Sequence, residues 1–268
     1  MTRSEHYQYA QQNLLLLEKE ISIVKKSAQA LIGKLAWQQE NNQPSEILDA
    51  SRFEVLAATR LYTFLICSWL EARLTKIFYE SSSCAFTDIE INSITNFRNS
   101  MEYRWKASFS LAVQKSYSFS PYPKIVHDYS SNFIPGSLCL TNYQTILALF
   151  KDLSDAITIR NRLAHGQWAV QFNSDNTQIE QYSLIQNYDN IQKLENLKAC
   201  FNQIGEIISM YVTYKDKQNP NFDQIVSQKL KLIMDKKLKA EKMNYSRYVS
   251  SLKRSYEANR QRTKSATN

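Results

Sequence analysis

Apolar residues recur every three or four positions along most of this chain, the spacing that places them on one face of an α-helix. The first stripe predicts a helix from Ser4 to about Asn41 and consists of Leu14, Leu17, Ile21, Val24, Ala28, Leu31 and Leu35. Pro44 interrupts the pattern, and a second helix is predicted over residues 48–80 with Ser45 as its N-cap. This second helix contains the most apolar stretch of the chain and is therefore expected to run through the core.

The same spacing predicts three further long helices. They start at the N-cap residues Thr87, Thr141 and Asp189 and extend to Tyr117, Gly166 and Tyr211, respectively. Residues 118–136 contain three of the five prolines and are expected to form a fairly stiff loop. Gly166 lacks a Cβ, so it suits the left-handed position that follows the last turn of a helix.

One β element is expected among these helices. Residues 167–172 and 178–184 partly alternate between apolar and polar positions, and they flank the turn-forming residues 173–176. The sequence therefore predicts an all-α protein, a bundle of long helices, with a small β-hairpin directly after the helix that ends at Gly166.

The C-terminal fifth of the chain differs from the rest in charge. After Pro220, helical spacing resumes over residues 222–238 and again over residues 245–256. Residues 215–268 contain 14 Lys and Arg against five Asp and Glu, a net charge of +9, whereas residues 1–214 carry a net charge of −1. We therefore predict a helical domain over residues 1–214 and a basic helical extension over residues 215–268.

Composition narrows the possible functions. The chain has only four glycines, which argues against a glycine-rich loop that binds nucleotide phosphates. The four cysteines are widely spaced and form no zinc-binding pair, so no metal or other cofactor is expected. The longest uncharged apolar stretch, residues 61–70, is far shorter than the ~20 residues of a membrane span. No signal-peptide apolar region is present, and these features together predict a soluble, cytoplasmic protein.

One short segment combines residue types suited to phosphodiester chemistry. It lies at the end of the predicted helix 142–165 and reads Arg160-Asn161-Arg162-Leu163-Ala164-His165. A histidine can transfer a proton near neutral pH, and a guanidinium can bind two phosphoryl oxygens at once. Residues four apart on a helix differ by about 40° and those five apart by about 140°. Asn161 therefore shares a face with His165, whereas Arg160 lies on a different face.

This segment resembles the signature of the higher eukaryotes and prokaryotes nucleotide-binding (HEPN) superfamily. That signature is an arginine, four to six residues and a histidine, often with a polar residue directly after the arginine, here Asn161. The resemblance extends more weakly to the second helix through Trp69-Leu70-Glu71-Ala72-Arg73-Leu74. A subgroup of the family has a tyrosine two residues after the histidine as the acceptor of modification, and here that position is Gln167.

The resemblance implies a fold and an activity. HEPN domains are helical bundles, and many are metal-independent ribonucleases whose active site forms where two protomers meet. It implies that Arg160 and His165 are catalytic and that Asn161 assists them. The histidine would promote attack of an RNA 2′-hydroxyl on the adjacent phosphorus, and the partner's His165 would protonate the leaving oxygen. A homodimer, a role as toxin or phage-defence effector, and an inhibitor or antitoxin protein are the corresponding expectations.

Other residues are candidates for supporting roles. Arg162 and the tail residues Lys242, Arg247, Lys253 and Arg254 are candidate RNA-binding cations, and the tail cations alternate with tyrosines on which bases could stack. A packing stripe of tyrosines with a solvated basic face explains that pattern equally well. Glu71 is a possible auxiliary residue, since a carboxylate within an apolar helix needs a partner such as Arg73, Arg160 or Arg162. A non-catalytic helical module that binds RNA or protein is the alternative function.

Overall fold

The computed structural model describes residues 1–81, 85–96, 98–120, 128–165, 168, 178–179, 190–213, 221–242 and 244–267. The helices of this part are α1 (Arg3–Glu40), α2 (Ser45–Phe78), α3 (Asp88–Thr95), α4 (Met101–Tyr117), α5 (Leu138–Leu149), α6 (Lys151–Ala164), α7 (Ile191–Thr213), α8 (Phe222–Glu241) and α9 (Tyr245–Thr267), with a 3₁₀ turn at Ser130–Asn132. The all-α prediction is confirmed for the described residues. Gly166 and most residues of the expected hairpin lie outside the described part of the chain.

Helices α1 and α2 form an antiparallel pair around the four-residue connection 41–44. Lys34 near the end of α1 pairs with Glu54 near the start of α2, with 2.9 Å between Nζ and Oε2. At the opposite end, the Arg3 guanidinium donates hydrogen bonds to the backbone carbonyls of Phe78, Glu80 and Phe86. The bonds to Phe78 and Glu80 satisfy carbonyl groups at the end of α2, and the bond to Phe86 ties this end to the segment before α3.

The start of α2 differs from the prediction. Ser45 is the first residue of the helix rather than its N-cap, and Pro44 occupies the cap position without a side-chain hydrogen bond. The Pro44 carbonyl accepts hydrogen bonds from the backbone N–H groups of Ile47 and Leu48. Proline has a fixed φ near the helical value and no side-chain acceptor, so it can precede a helix but cannot cap the N–H groups of the first turn.

Helix α2 is the centre of the core. It packs against α1, α6 and α7, and its side chains Tyr62, Ile66, Trp69 and Leu70 are almost completely buried. Among the described residues it is the one helix with the length and apolar composition of a membrane span, and its most apolar segment has a mean hydropathy of 1.3. A buried core helix meets the same two criteria, and the contacts of α2 on three sides are those of a core helix.

The predicted helix from Thr87 to Tyr117 is two helices. Thr87 caps α3 as expected, through a reciprocal pair of hydrogen bonds with Glu90. The chain leaves the helix at Asn96, and Ser100 caps α4 by accepting a hydrogen bond from the backbone N–H of Tyr103. Ser100 thus provides a second helix start inside the predicted helix.

The helix predicted from Thr141 to Gly166 is also two helices. It begins earlier, at Leu138, because Ser137 rather than Thr141 is the N-cap. Phe150 separates α5 from α6 with φ −65° and ψ −19°, values of a tightened 3₁₀ turn. The break follows from packing, since α5 contacts α8 whereas α6 contacts α2 and α4.

The N-cap of α7 lies one residue later than the sequence predicts. Asn190 accepts a hydrogen bond from the backbone N–H of Lys193 at 3.2 Å, so the side-chain cap is Asn190. Asp189, the expected cap, lies outside the described residues.

The basic extension divides into two helices with different environments. In α8, Phe222, Val226, Leu230 and Ile233 are buried in the same core as the preceding helices. Helix α9 lies on α1, and none of its residues whose burial the structure describes is fully buried. The expected boundary at residues 214 and 215 therefore marks a change in charge rather than the edge of the core.

Helix α9 runs parallel to α1 in a constant register. The Gln29 side chain donates a hydrogen bond to the Tyr248 hydroxyl at 2.8 Å, and the rings of Trp37 and Tyr256 lie 6.0 Å apart. Between these two contacts, Gly33 faces the backbone of Leu252, where a Cβ would lie 2.6 Å from the carbonyl oxygen. Gly33 is therefore the position that lets the two helix backbones approach closely.

We expect Gly33→Ala to release α9 from α1. Alanine favours an isolated helix over glycine by about 1 kcal/mol, but its Cβ would collide with a backbone atom that cannot rotate away. Hydrogen exchange should become faster over residues 245–267 and stay slow in α2 and α7. The exposed Ser27 on the same helix provides the control Ser27→Ala. Unchanged protection of α9 in Gly33→Ala would contradict the close-approach argument.

A second structural feature is the half-buried carboxyl of Glu80, just after α2. One oxygen accepts a hydrogen bond from the Ser209 hydroxyl at 3.0 Å, and the other is buried without a hydrogen-bond partner among the described residues. Burial raises the pKa of Glu80, and Ser209, Arg73 and Lys76 oppose that shift less strongly. The charged form therefore costs folding free energy at neutral pH.

We expect Glu80→Gln to stabilise the protein at pH 7 and to have little effect near pH 4. Because the folded-state pKa of Glu80 is raised, its favourable contribution is complete at low pH and is lost as the pH rises through that pKa. The melting temperatures of both proteins, measured from about pH 4 to 7, should diverge as the pH rises. The exposed Glu46 supplies the control Glu46→Gln; parallel pH curves for Glu80→Gln and wild type would disprove the claim.

Candidate functional site

Arg160 occupies the last turns of α6 and is held there by two side chains. Its Nη2 donates to Oε2 of Glu71 at 3.0 Å, and its Nη1 donates to Oδ1 of Asn161 at 3.2 Å. The guanidinium carbon also lies 5.9 Å from the centre of the Phe64 ring. Arg160 is therefore fixed by residues of α2 and by its own neighbour.

The contact between Glu71 and Arg160 follows from the way α6 crosses α2. At this crossing the thiol of Cys67 donates to the Ala156 carbonyl at 3.3 Å, while Leu70 and Ile159 are buried nearby in the core. Of the three arginines considered as partners for Glu71, the structure pairs it with Arg160. Both side chains remain about a third exposed, so the pair stabilises the fold by ~1 kcal/mol or less. Its main effect is to orient the guanidinium.

Arg160 and Asn161 line a cleft of about 310 Å³ between α2, α6 and the start of α4. The lining residues are Cys67, Leu70, Glu71, Arg98, Asn99, Ser100, Met101, Arg104, Ile157, Arg160 and Asn161. Two of them, Arg98 and Arg104, were not among the sequence candidates. Three arginines face one carboxylate in this lining, so the cleft suits an anionic ligand.

The cysteine in the cleft is not a nucleophile at neutral pH. Cys67 is buried in the core, and burial raises the pKa of its thiol to about 12 although Arg160 acts in the opposite direction. The thiolate is the reactive form of cysteine and is scarce at such a pKa.

His165 lies at the end of α6 but not among the described residues that line the cleft. It is the C-cap residue, and its backbone N–H donates to the Asn161 carbonyl at 3.0 Å. Its side chain is exposed, whereas Arg162 is half-buried and also absent from the described lining. Within one chain, the structure brings Arg160, Asn161 and Glu71 together and leaves His165 open to solvent.

The candidate RNA-binding residues of the tail do not line the described cleft either. Lys253 forms an ion pair with Glu40 on α1, and this contact raises the pKa of Lys253. Lys242, Arg247 and Arg254 are exposed. Tyr248 and Tyr256, which lie close to these cations in the sequence, pack against α1. This face of α9 is therefore a packing stripe, and the exposed arginines lie on the opposite face of the helix.

Metal ligands are not clustered in the described part of the chain. No group of three or more histidine, cysteine, aspartate or glutamate side chains there is arranged to bind a metal ion. The described cleft presents guanidinium, amide, hydroxyl and carboxylate groups.

Comparison with models of protein families, with curated proteins and with solved structures finds no match to this chain. The resemblance to the HEPN superfamily consequently depends on the residues of the motif alone.

Sequence reasoning missed Arg98 and Arg104 because it treated residues 88–117 as one helix. The break at Asn96 brings Arg98 into the connection between α3 and α4 and Arg104 into the beginning of α4. Ser100 carried a signal that could have revealed the break, since serine is a preferred N-cap residue.

Proposed function

We propose that this protein is a metal-independent endoribonuclease of the HEPN type, acting in the cytoplasm as a toxin or phage-defence effector. The observation that supports this best is Arg160 at the end of α6, oriented by Glu71 and Asn161 on the wall of an arginine-lined cleft. A nuclease of this kind needs a cation positioned at the phosphorus and no metal ion.

Arg160 has the donors that this role requires. Two of its nitrogens are bonded to Glu71 and Asn161, and its Nε is buried without a hydrogen-bond partner among the described residues. A guanidinium offers five N–H donors, so the second hydrogens of Nη1 and Nη2 remain for phosphoryl oxygens. We assign Arg160 to stabilising the charge that develops on the phosphorane.

Proton transfer requires a second protomer. The exposed His165 is outside the described cleft of its own chain, and Glu71 is already engaged by Arg160. In a dimer with α6 ends facing each other, one His165 removes the proton of the RNA 2′-hydroxyl as its oxygen attacks the phosphorus. The partner's His165 gives a proton to the departing 5′-oxygen, and the products are a 2′,3′-cyclic phosphate and a 5′-hydroxyl.

A non-catalytic module that binds RNA or protein is the second candidate. The position of His165 outside the described cleft favours it, because a binding site needs only the cations. Either function is compatible with an inhibitor or antitoxin protein that covers the same basic surfaces.

We expect the protein to cleave RNA in EDTA and to leave a 2′,3′-cyclic phosphate. His165→Ala should slow cleavage by about 10²- to 10⁴-fold, because general acid–base catalysis contributes that much. Arg160→Ala should abolish cleavage as well, through loss of phosphorane stabilisation. Gel assays on several RNAs, with mass spectrometry of the products, provide the measurement.

Two controls accompany this test. His6→Gln removes an imidazole that stacks on Tyr79, distant in sequence from the motif, and should cleave like wild type. Circular dichroism should show unchanged helicity in every variant. If wild type leaves all RNAs intact, or if His165→Ala cleaves as fast as wild type, the enzyme proposal is wrong and the binding module takes its place.

We also expect a homodimer, because one chain lacks a complete set of proton-transfer groups in the described cleft. Light scattering should give twice the mass of 31.2 kDa at concentrations where cleavage occurs. A monomer with full activity would refute the shared active site while leaving the cleavage chemistry intact.

A further inference from the structure

Three arginines from separate parts of the chain meet in one cleft. Arg98 comes from the connection between α3 and α4, Arg104 from the beginning of α4, and Arg160 from the end of α6. Residues 98 and 104 belong to no motif, so this convergence is a product of the fold. Glu71 pairs with Arg160, so these arginines outnumber the one carboxylate of the described lining, and the surplus positive charge favours an anion in the cleft.

Arg104 has donors available for such an anion. It is half-buried, and among the described residues its guanidinium forms one hydrogen bond, a long one of 3.5 Å from Nη2 to the carbonyl of Asn96. Its Nε is buried without a partner among the described residues. No described carboxylate pairs with it. The Nη groups are not fully buried, so they are the donors that can reach an anion in the cleft, and a half-buried guanidinium without a carboxylate partner is stabilised by such an anion.

The surroundings of Arg104 add to the positive potential. Glu71, the one carboxylate of the described lining, is paired with Arg160. Ser100 and Met101 also line the cleft, and they are the N-cap and first residue of the 17-residue helix α4. The positive end of that helix therefore faces the same space as the guanidinium groups.

We propose that Arg104, together with Arg98, binds a phosphate group in this cleft next to the one that Arg160 contacts. The inference rests on the proposed function to the extent that Arg160 is shared. It makes Arg104 a phosphate-binding residue that positions the nucleic-acid strand and takes no part in bond breaking. The ligand is a strand with at least two adjacent phosphates, and free diphosphate has the same chemistry.

The test measures binding without cleavage. A 2′-O-methyl RNA lacks the attacking hydroxyl and stays intact, so its affinity can be followed by fluorescence anisotropy at several salt concentrations. Arg104→Gln should weaken binding about tenfold, the effect of losing a charge-assisted hydrogen bond. The slope of log K against log salt should become shallower by about 0.7, as for one lost contact with a single-stranded phosphate.

Matched variants exclude trivial explanations. Arg52→Gln removes the same charge from an exposed position on α2, about 28 Å along the helix from Glu71, and should bind like wild type. Arg98→Gln changes an exposed residue in a connection and provides a second test if Arg104→Gln fails to fold, with an expected loss of affinity of several-fold. Equal affinities for the Arg104 and Arg52 variants would overturn the proposal.

The results distinguish a failure of the phosphate-site proposal from a failure of the nuclease proposal. If wild type binds the 2′-O-methyl RNA, Arg104→Gln weakens it, and no RNA is ever cleaved, the phosphate site stands and the nuclease proposal fails. If wild type binds diphosphate but not the oligonucleotide, and Arg104→Gln loses diphosphate, the site takes a free phosphate compound. If wild type cleaves RNA and Arg104→Gln leaves both binding and the KM unchanged, the nuclease proposal stands and this inference is wrong.

Discussion

The burial of α2 on three sides is the constraint on which the rest of the structure depends. Its apolar residues pack against α1, α6 and α7, and burying each large side chain contributes roughly 1.5–3 kcal/mol. Because α6 must lie along α2 to cover that surface, Arg160 is brought against Glu71. An ion pair that is about a third exposed is too weak to determine how the two helices cross. Apolar packing therefore sets the crossing, and the crossing places the two charged side chains next to each other.

The same packing explains why Arg160 and His165 lie in different environments. Arg160 faces α2 and enters the cleft, whereas His165 terminates the helix five residues later and faces solvent. In the nuclease that we propose, both the cation and the proton-transfer group must be held in position at the phosphorus. Glu71 and Asn161 orient Arg160, whereas the exposed His165 would need a second chain over the end of α6 to complete the site.

One face of the basic helix α9 packs on α1, and its other face carries exposed cations. Its tyrosines and Leu252 pack on α1 beside Gly33, and Lys253 is engaged with Glu40. Arg247 and Arg254 remain exposed. Since the described residues of α9 include no buried one, this helix is expected to open more readily than the core helix α2.

The sequence by itself determined the helical class, the long α1 and α2, and the motif at the end of α6, because apolar spacing and residue chemistry are local properties. It also narrowed the partner of Glu71 to three arginines. The break at Phe150, the choice of Arg160 as the partner of Glu71, and the convergence of Arg98 and Arg104 on the cleft were decided only by the tertiary structure. Each of these depends on how distant helices pack against one another, and such packing can override local helix propensity.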